Sequence, residues 1–184
     1  MENTLAKKPF KTNKFEGLFL FYDYIILQKI PFFEDKLETM SPIEKYLYRF
    51  IAFACLGVTT EIFFTAFYKF SEKGHSTADL LKLEGNSYVW MVFIYGSAAF
   101  LIPFYYGLIQ GFPLIVRLLL YALGIFLIEY IAGFALDKAT GQCPWEYSSR
   151  WNISGYIRLD YTPFWMVFGF MLERVSLFLD VVLD

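Results

Sequence analysis

The sequence predicts an all-α, polytopic helical membrane bundle with four transmembrane helices and an N-terminal interfacial helix. Two observations carry this reading. Apolar residues make up 57% of the 184 positions and charged residues only 18%, whereas a soluble domain runs at about 25% charged. The charges also cluster in short polar segments between long apolar stretches. A bilayer imposes that pattern, because a spanning helix needs about 20 consecutive apolar residues.

The elements follow in order. Residues 1–45 form a basic tail followed by an amphipathic juxtamembrane segment. Its apolar part, 15–33, is interrupted by Glu16, Asp23 and Lys29, which favours a helix lying along the membrane over a full span. No small-residue cleavage site follows the basic start, so the chain is expected to stay whole and its first apolar span to act as the targeting signal. Ser41-Pro42-Ile43-Glu44 reads as a capping box with proline at the first helical position.

The transmembrane domain, 46–184, begins there. Its first span is Tyr48–Phe67, with Lys45 and Arg49 at its start. After a polar loop, 71–87, a second span runs from Tyr88 to Leu108, with a kink expected at Pro103. Gly111-Phe112-Pro113 makes a tight turn into a third span, Leu114–Leu136. The polar stretch 137–160 is rich in Gly, Ser, Trp and Tyr, and a fourth span starts near Tyr161. Cys55 and Cys143 are expected as unpaired thiols, Cys55 as a packed small residue.

Seven of the sixteen Lys and Arg residues precede the first span, and an eighth, Arg49, stands at its start. Counting Arg117 with the short turn, the basic bias places the N-terminus in the cytoplasm and loop 137–160 on the outer face.

Three glutamates, Glu61, Glu129 and Glu173, lie inside apolar spans. A carboxylate in hydrocarbon costs several kcal/mol, so such residues usually face the bundle interior and serve a function. Glu61 precedes Lys69 by eight residues, and Glu129 precedes Asp137 by eight. At about 1.5 Å per residue both lie about 12 Å below one face, and Glu173 about 18 Å below it. The three acids are therefore expected to converge beneath loop 137–160, with Arg174 as the available cation. Such a cluster either fixes helix packing as a buried polar network or binds a cation or proton. Gly57 and Gly169, one turn before Glu61 and Glu173, permit close helix approach.

Other chemistry finds little support. His75 is the single histidine, and a metal site calls for more ligands at suitable spacing. No glycine loop ending in Gly-Lys-Ser/Thr is present, so the chain is no ATPase by itself. No serine occupies a nucleophile elbow. Neither metal nor cofactor is expected. The net charge of −2 provides no concentrated basic face for nucleic acid. Membrane lipids are the expected surroundings. Trp90 and Trp165 fall near span ends, where interfacial belts place aromatics. Trp145, Tyr147, Trp151 and Tyr156 cluster in the outer loop, as a lid over the bundle mouth or a stacking surface for a cationic head group.

Several stretches carry a family resemblance: Gly141 through Ser148 (Gly-Gln-Cys-Pro-Trp-Glu-Tyr-Ser), Asn152 through Gly155, Ile157-Arg158-Leu159-Asp160-Tyr161, Pro163 with Trp165, Trp90-Met91, Tyr95-Gly96 and Glu129-Tyr130. With these, the chain over roughly residues 46–176 resembles the small membrane proteins described as type IV ABC-transporter permeases (CmpB-like), which include animal transmembrane protein 229 members. The resemblance implies a four-helix core and a membrane location. It adds Asn152, Arg158 and Asp160 to the candidate ligand-binding residues, beside Glu61, Glu129, Glu173, Arg174, Trp145 and Tyr147. The leading expectation is a permease component that binds a cationic or amphipathic small molecule at the carboxylates, working as a homo-oligomer or with a separate membrane or ATPase partner. The rivals are a membrane-embedded enzyme acting on lipid head groups, with Glu61, Glu129 or Asp160 as general acid/base, and a purely structural membrane subunit.

Overall fold

The computed structural model describes residues 39–73 and 83–183. The juxtamembrane segment 15–33 and His75 lie outside the described residues. The elements are α1 (Pro42–Lys73), α2 (Val89–Gly96), α3 (Ala98–Ile109), α4 (Leu114–Thr140), a hairpin of β1 (Asn152–Ile153) and β2 (Ile157–Arg158), a 3-10 turn (Leu159–Tyr161) and α5 (Thr162–Leu183). Ser41–Leu177 form one compact unit, and Phe178–Asp184 group apart from it.

The described residues are mostly helical, and three helices among them are long and apolar enough to cross a membrane: Pro42–Phe70, Val89–Ile109 and Leu114–Thr140. The fourth predicted span forms a helix where expected, but Glu173, Arg174 and Asp180 interrupt its apolar character. Loop 137–160 is more ordered than its composition suggests, since it contains the hairpin.

α1 starts as the capping box requires. The Ser41 N–H and hydroxyl both donate to Glu44 Oε2, at 2.7 and 2.8 Å. The second span breaks at Ser97 rather than at Pro103. Proline crowds the carbonyl four residues back, Ala99, and the Ser97 hydroxyl donates to the Ile94 carbonyl at 2.6 Å, a side-chain bond that bends helices. α4 ends on Gly141 at φ 77°, whose N–H returns to the Asp137 carbonyl, the left-handed close glycine allows cheaply.

Glycines set how closely the helices approach. Gly57 of α1 receives the Tyr95 ring of α2, and Gly96 of α2 receives the Phe50 ring of α1. A Cβ at either glycine would overlap the opposing ring. Gly169 of α5 takes Tyr121 of α4 in the same way. Phe53, Ala99 and Tyr121 are among the most buried apolar residues. On the outer face of α4, Leu123, Leu127, Ile131 and Phe134 are exposed at helical spacing, as a lipid-facing stripe would be. Cys55 belongs to the exposed surface of α1, not to the interior as expected. Trp90 is exposed, whereas Trp165 is only 9% exposed. It is a core residue rather than a belt residue, because it packs on Phe164 and Phe168.

Candidate site: two carboxylate centres and an apolar cavity

The three glutamates divide into two neighbourhoods. At the first, Glu61 of α1 accepts from the Ser87 hydroxyl at 2.8 Å. Ser87 is held there because Asn86 exchanges two hydrogen bonds with the Thr65 hydroxyl, one helical turn beyond Glu61. Glu129 of α4 accepts from the Tyr147 hydroxyl at 2.9 Å through Oε1. Tyr95 of α2 links these two acids: its ring packs against Gly57, one turn before Glu61, and it lines one cavity with Glu129.

Glu173 belongs to the second centre. Its Oε1 accepts from Arg117 Nη2 at 2.5 Å, with the two side chains 1% and 7% exposed. Arg117 also stands over the Tyr106 ring at 5.8 Å. The Tyr121 hydroxyl neighbours the carboxylate but falls outside hydrogen-bond geometry with it. One expectation is corrected here. Arg117 is no turn residue: α4 has begun three residues earlier and the Arg117 side chain points into protein. Arg174, about 100° around the helix from Glu173, is half-buried and stands outside that ion pair.

Loop 137–160 rests on Glu129. Burial and the neighbouring Glu129 carboxylate push the Tyr147 phenol well above its usual value, so it remains a hydrogen-bond donor. Tyr147 packs edge-on against Tyr161, and Tyr161 against Phe64 of α1. The Trp145 indole donates to the Tyr156 carbonyl at 3.1 Å, and the Tyr156 hydroxyl to Asp137 at 2.9 Å. Trp151, by contrast, is 60% exposed and covers nothing.

Ser154 and Gly155, at φ 55° and 75°, form the tip of the hairpin. Its backbone closes from the Tyr156 N–H to the Ile153 carbonyl, the turn whose twist suits a two-stranded ribbon. Asn152 braces that turn: its amide nitrogen donates to the Ser149 carbonyl, and its Oδ1 accepts from the Gly155 N–H. Arg158 grips Asp160 through Nε and Nη2 at 2.9 Å each, donates to the Tyr161 hydroxyl, and lies over the Tyr161 ring at 4.4 Å. That fork holds the Asp160 carboxyl below the ordinary aspartate value and raises the guanidinium. Asn152 thus braces the hairpin, Arg158 and Asp160 brace the 3-10 turn that leads into α5, and none of them lines the cavity described next.

A cavity of about 260 Å³ lies among α2, α3, α4, α5 and the loop. Its wall is nearly all apolar and includes Ile94, Phe104, Ile125 and Phe168, with Tyr95, Glu129, Trp145 and Trp165 at its polar points. Glu129 Oε2 and Trp165 Nε1 are buried with no hydrogen-bond partner among the described residues. Sequence reasoning reached Glu129 and Trp145 but missed Tyr95 and Ser87. The Tyr95-Gly96 stretch that carries the family resemblance was the available signal for Tyr95.

Residues 48–180 match the family described as "Putative ABC-transporter type IV". The chain belongs to that family. The match covers every described helix in whole or in part, the hairpin and both carboxylate centres, so the resemblance read from the loop motif holds. With its three apolar helices, membership makes this member of the ABC-transporter type IV family a membrane protein. No solved structure matches the chain.

Proposed function

We propose that this family member is a multi-pass permease component whose bundle binds a small amphipathic cation, with Glu129 as the anionic anchor. One observation carries the reading: Glu129 borders an almost wholly apolar cavity and keeps one carboxylate oxygen, Oε2, buried and without a partner. Ligand pockets are mainly apolar with a few placed polar groups, and those for drug-sized molecules start at about 300 Å³. A cavity slightly smaller suits a short amphiphile whose charged end meets Glu129.

The bundle is then crossed four times, by α1, by α2 with α3, by α4 and by α5, with loop 137–160 outside and the N-terminus in the cytoplasm. Pairing with Arg117 lowers the cost of keeping Glu173 in the fourth crossing. Transport driven by nucleotide would require a separate ATPase subunit, since the chain carries no phosphate-binding loop of its own. The head-group enzyme gains less support: Asp160, one of its three candidate bases, is held ionised by Arg158 and lies away from the cavity.

The test is binding to the full chain in lipid nanodiscs, comparing octylammonium with octanol and octanoate. Octylammonium is expected to bind at least about tenfold more tightly than the other two, as a charge-assisted hydrogen bond would give. Glu129→Gln should remove that preference. Equal binding of all three probes, or a preference that survives Glu129→Gln, would exclude the cation site.

A further inference from the structure

The cavity contains a second unsatisfied group of opposite character. Trp165 lines it, is 9% exposed, and its Nε1 is buried without a partner among the described residues. An indole N–H can only donate. The other tryptophan of the cavity, Trp145, gives its N–H to the Tyr156 carbonyl at 3.1 Å. Trp165 stands on the first turn of α5 with its ring against Phe164 at 5.0 Å and Phe168 at 5.9 Å. Those contacts hold the ring in place, so the donor cannot easily turn elsewhere. A buried water would need two to four polar neighbours, and this wall offers few.

Resting on the reading of the cavity as a site for a cationic amphiphile, we propose that its ligand also carries an oxygen acceptor within its apolar body, received by the Trp165 indole N–H. The ligand class is then an ether, hydroxy or carbonyl amine rather than a plain alkylamine. Glu129 Oε2 accepts from the ammonium end. Trp165 Nε1 donates to the oxygen. The apolar wall covers the carbon between and beyond them. Tyr121 also lines the cavity with an unpartnered hydroxyl, but its neighbour Glu173 gives that hydroxyl a polar environment which Trp165 lacks.

An ether scan tests this on the full chain in nanodiscs. In a series of octylammonium analogues, one ether oxygen replaces each chain methylene in turn. The affinity profile is expected to peak at one position, about five- to tenfold above its neighbours, and the peak should vanish in Trp165→Phe. A flat profile in the wild type, which is also what a resident water would produce, overturns the proposal, as does a peak that persists in Trp165→Phe. If octylammonium binds no better than octanol, the cation reading fails separately, and the same scan on an octanol chain judges Trp165 by the same two outcomes. Should Trp165→Phe fail to fold, tryptophan-labelled wild-type protein supplies the readout. Its Trp165 indole N–H resonance must move downfield with the best ether and not with octylammonium; equal shifts count against the proposal.

Discussion

Arg117 and Glu173, 56 positions apart, form a buried ion pair at 2.5 Å that ties the first turn of α4 to the middle of α5. Both side chains are nearly inaccessible, so each is the main compensation for the other's charge. Breaking a buried pair from one side typically costs about 3–5 kcal/mol, whereas exchanging both partners for apolar residues of similar volume is often neutral or stabilising. Arg117→Met alone and Glu173→Leu alone should therefore each lower the unfolding temperature in detergent sharply, and the double variant should recover most of the loss. A double variant as unstable as the worse single one would show that the pair is not a self-contained strut.

The Gly57–Tyr95 contact makes a second prediction. A methyl group at Gly57 would overlap the Tyr95 ring, and overpacking of this kind costs about 1–3 kcal/mol. Gly57→Ala should destabilise the protein by that order, measured by thermal unfolding. Adding Tyr95→Ala should relieve part of the loss. Gly107→Ala, where a Cβ meets nothing within 4 Å, is the matched control and should be neutral or slightly stabilising, because alanine favours helix.

Acid should loosen the lid through Asp160. Its carboxyl is held below the ordinary aspartate value by the Arg158 fork. A depressed carboxyl contributes stability that is present above its unfolded value, near pH 4, and is lost as pH falls through the lower folded value. Thermal stability should thus fall below about pH 4 more steeply in the wild type than in Asp160→Asn. Parallel curves would mean that the fork adds nothing to the fold.

Some of this was legible in the sequence, and the reason lies in what a helix fixes. Depth along the axis follows from rise per residue, so the shared spacing of Glu61 from Lys69 and Glu129 from Asp137 gives those two a common depth. Glu173 lies deeper than those two, beside Arg117, which stands twelve residues, about 18 Å, before Glu129 on α4. Azimuth does not follow from depth either, and a charge three residues into a span looked like a turn residue until its contacts with Tyr106 and Glu173 were seen. Trp165 misled for the same reason: belt and core positions near a helix end share a height and differ only in direction. The Ser41–Glu44 cap was legible because every atom of it is local.

Topology is a fourth prediction. With four crossings the two termini lie on one side and the hairpin on the other. Because Arg117 and Arg49 are buried, neither counts as a loop charge, and the bias rests on the seven Lys residues before the first span. Single cysteines replacing Thr4, Trp151 and Asp184, in a background lacking Cys55 and Cys143, should label from the inside, outside and inside respectively. Opposite labelling of the termini would require an odd number of crossings and make the segment 15–33 a span.

The last prediction separates strut from site. If Glu129 anchors a cation while Glu173 only neutralises Arg117, three glutamine substitutions should differ in kind. Glu129→Gln keeps shape and hydrogen-bonding capacity but removes the charge, so octylammonium binding should be lost while the protein stays folded. Removing a buried charge without an ionic partner among the described residues should even raise its unfolding temperature. Glu61→Gln takes away a neighbouring negative charge that does not itself line the cavity, so affinity should weaken only a few-fold. Tyr147→Phe frees Glu129 Oε1 from its one hydrogen bond and loosens the lid above it, and should lie between the two. Glu173→Gln leaves Arg117 without its counter-charge, so it should lower stability while sparing affinity in whatever fraction remains folded. Calorimetric titration beside thermal unfolding reads both quantities on the same samples. If Glu173→Gln weakens binding as much as Glu129→Gln at equal foldedness, the three acids act as one site and the division into two centres is wrong.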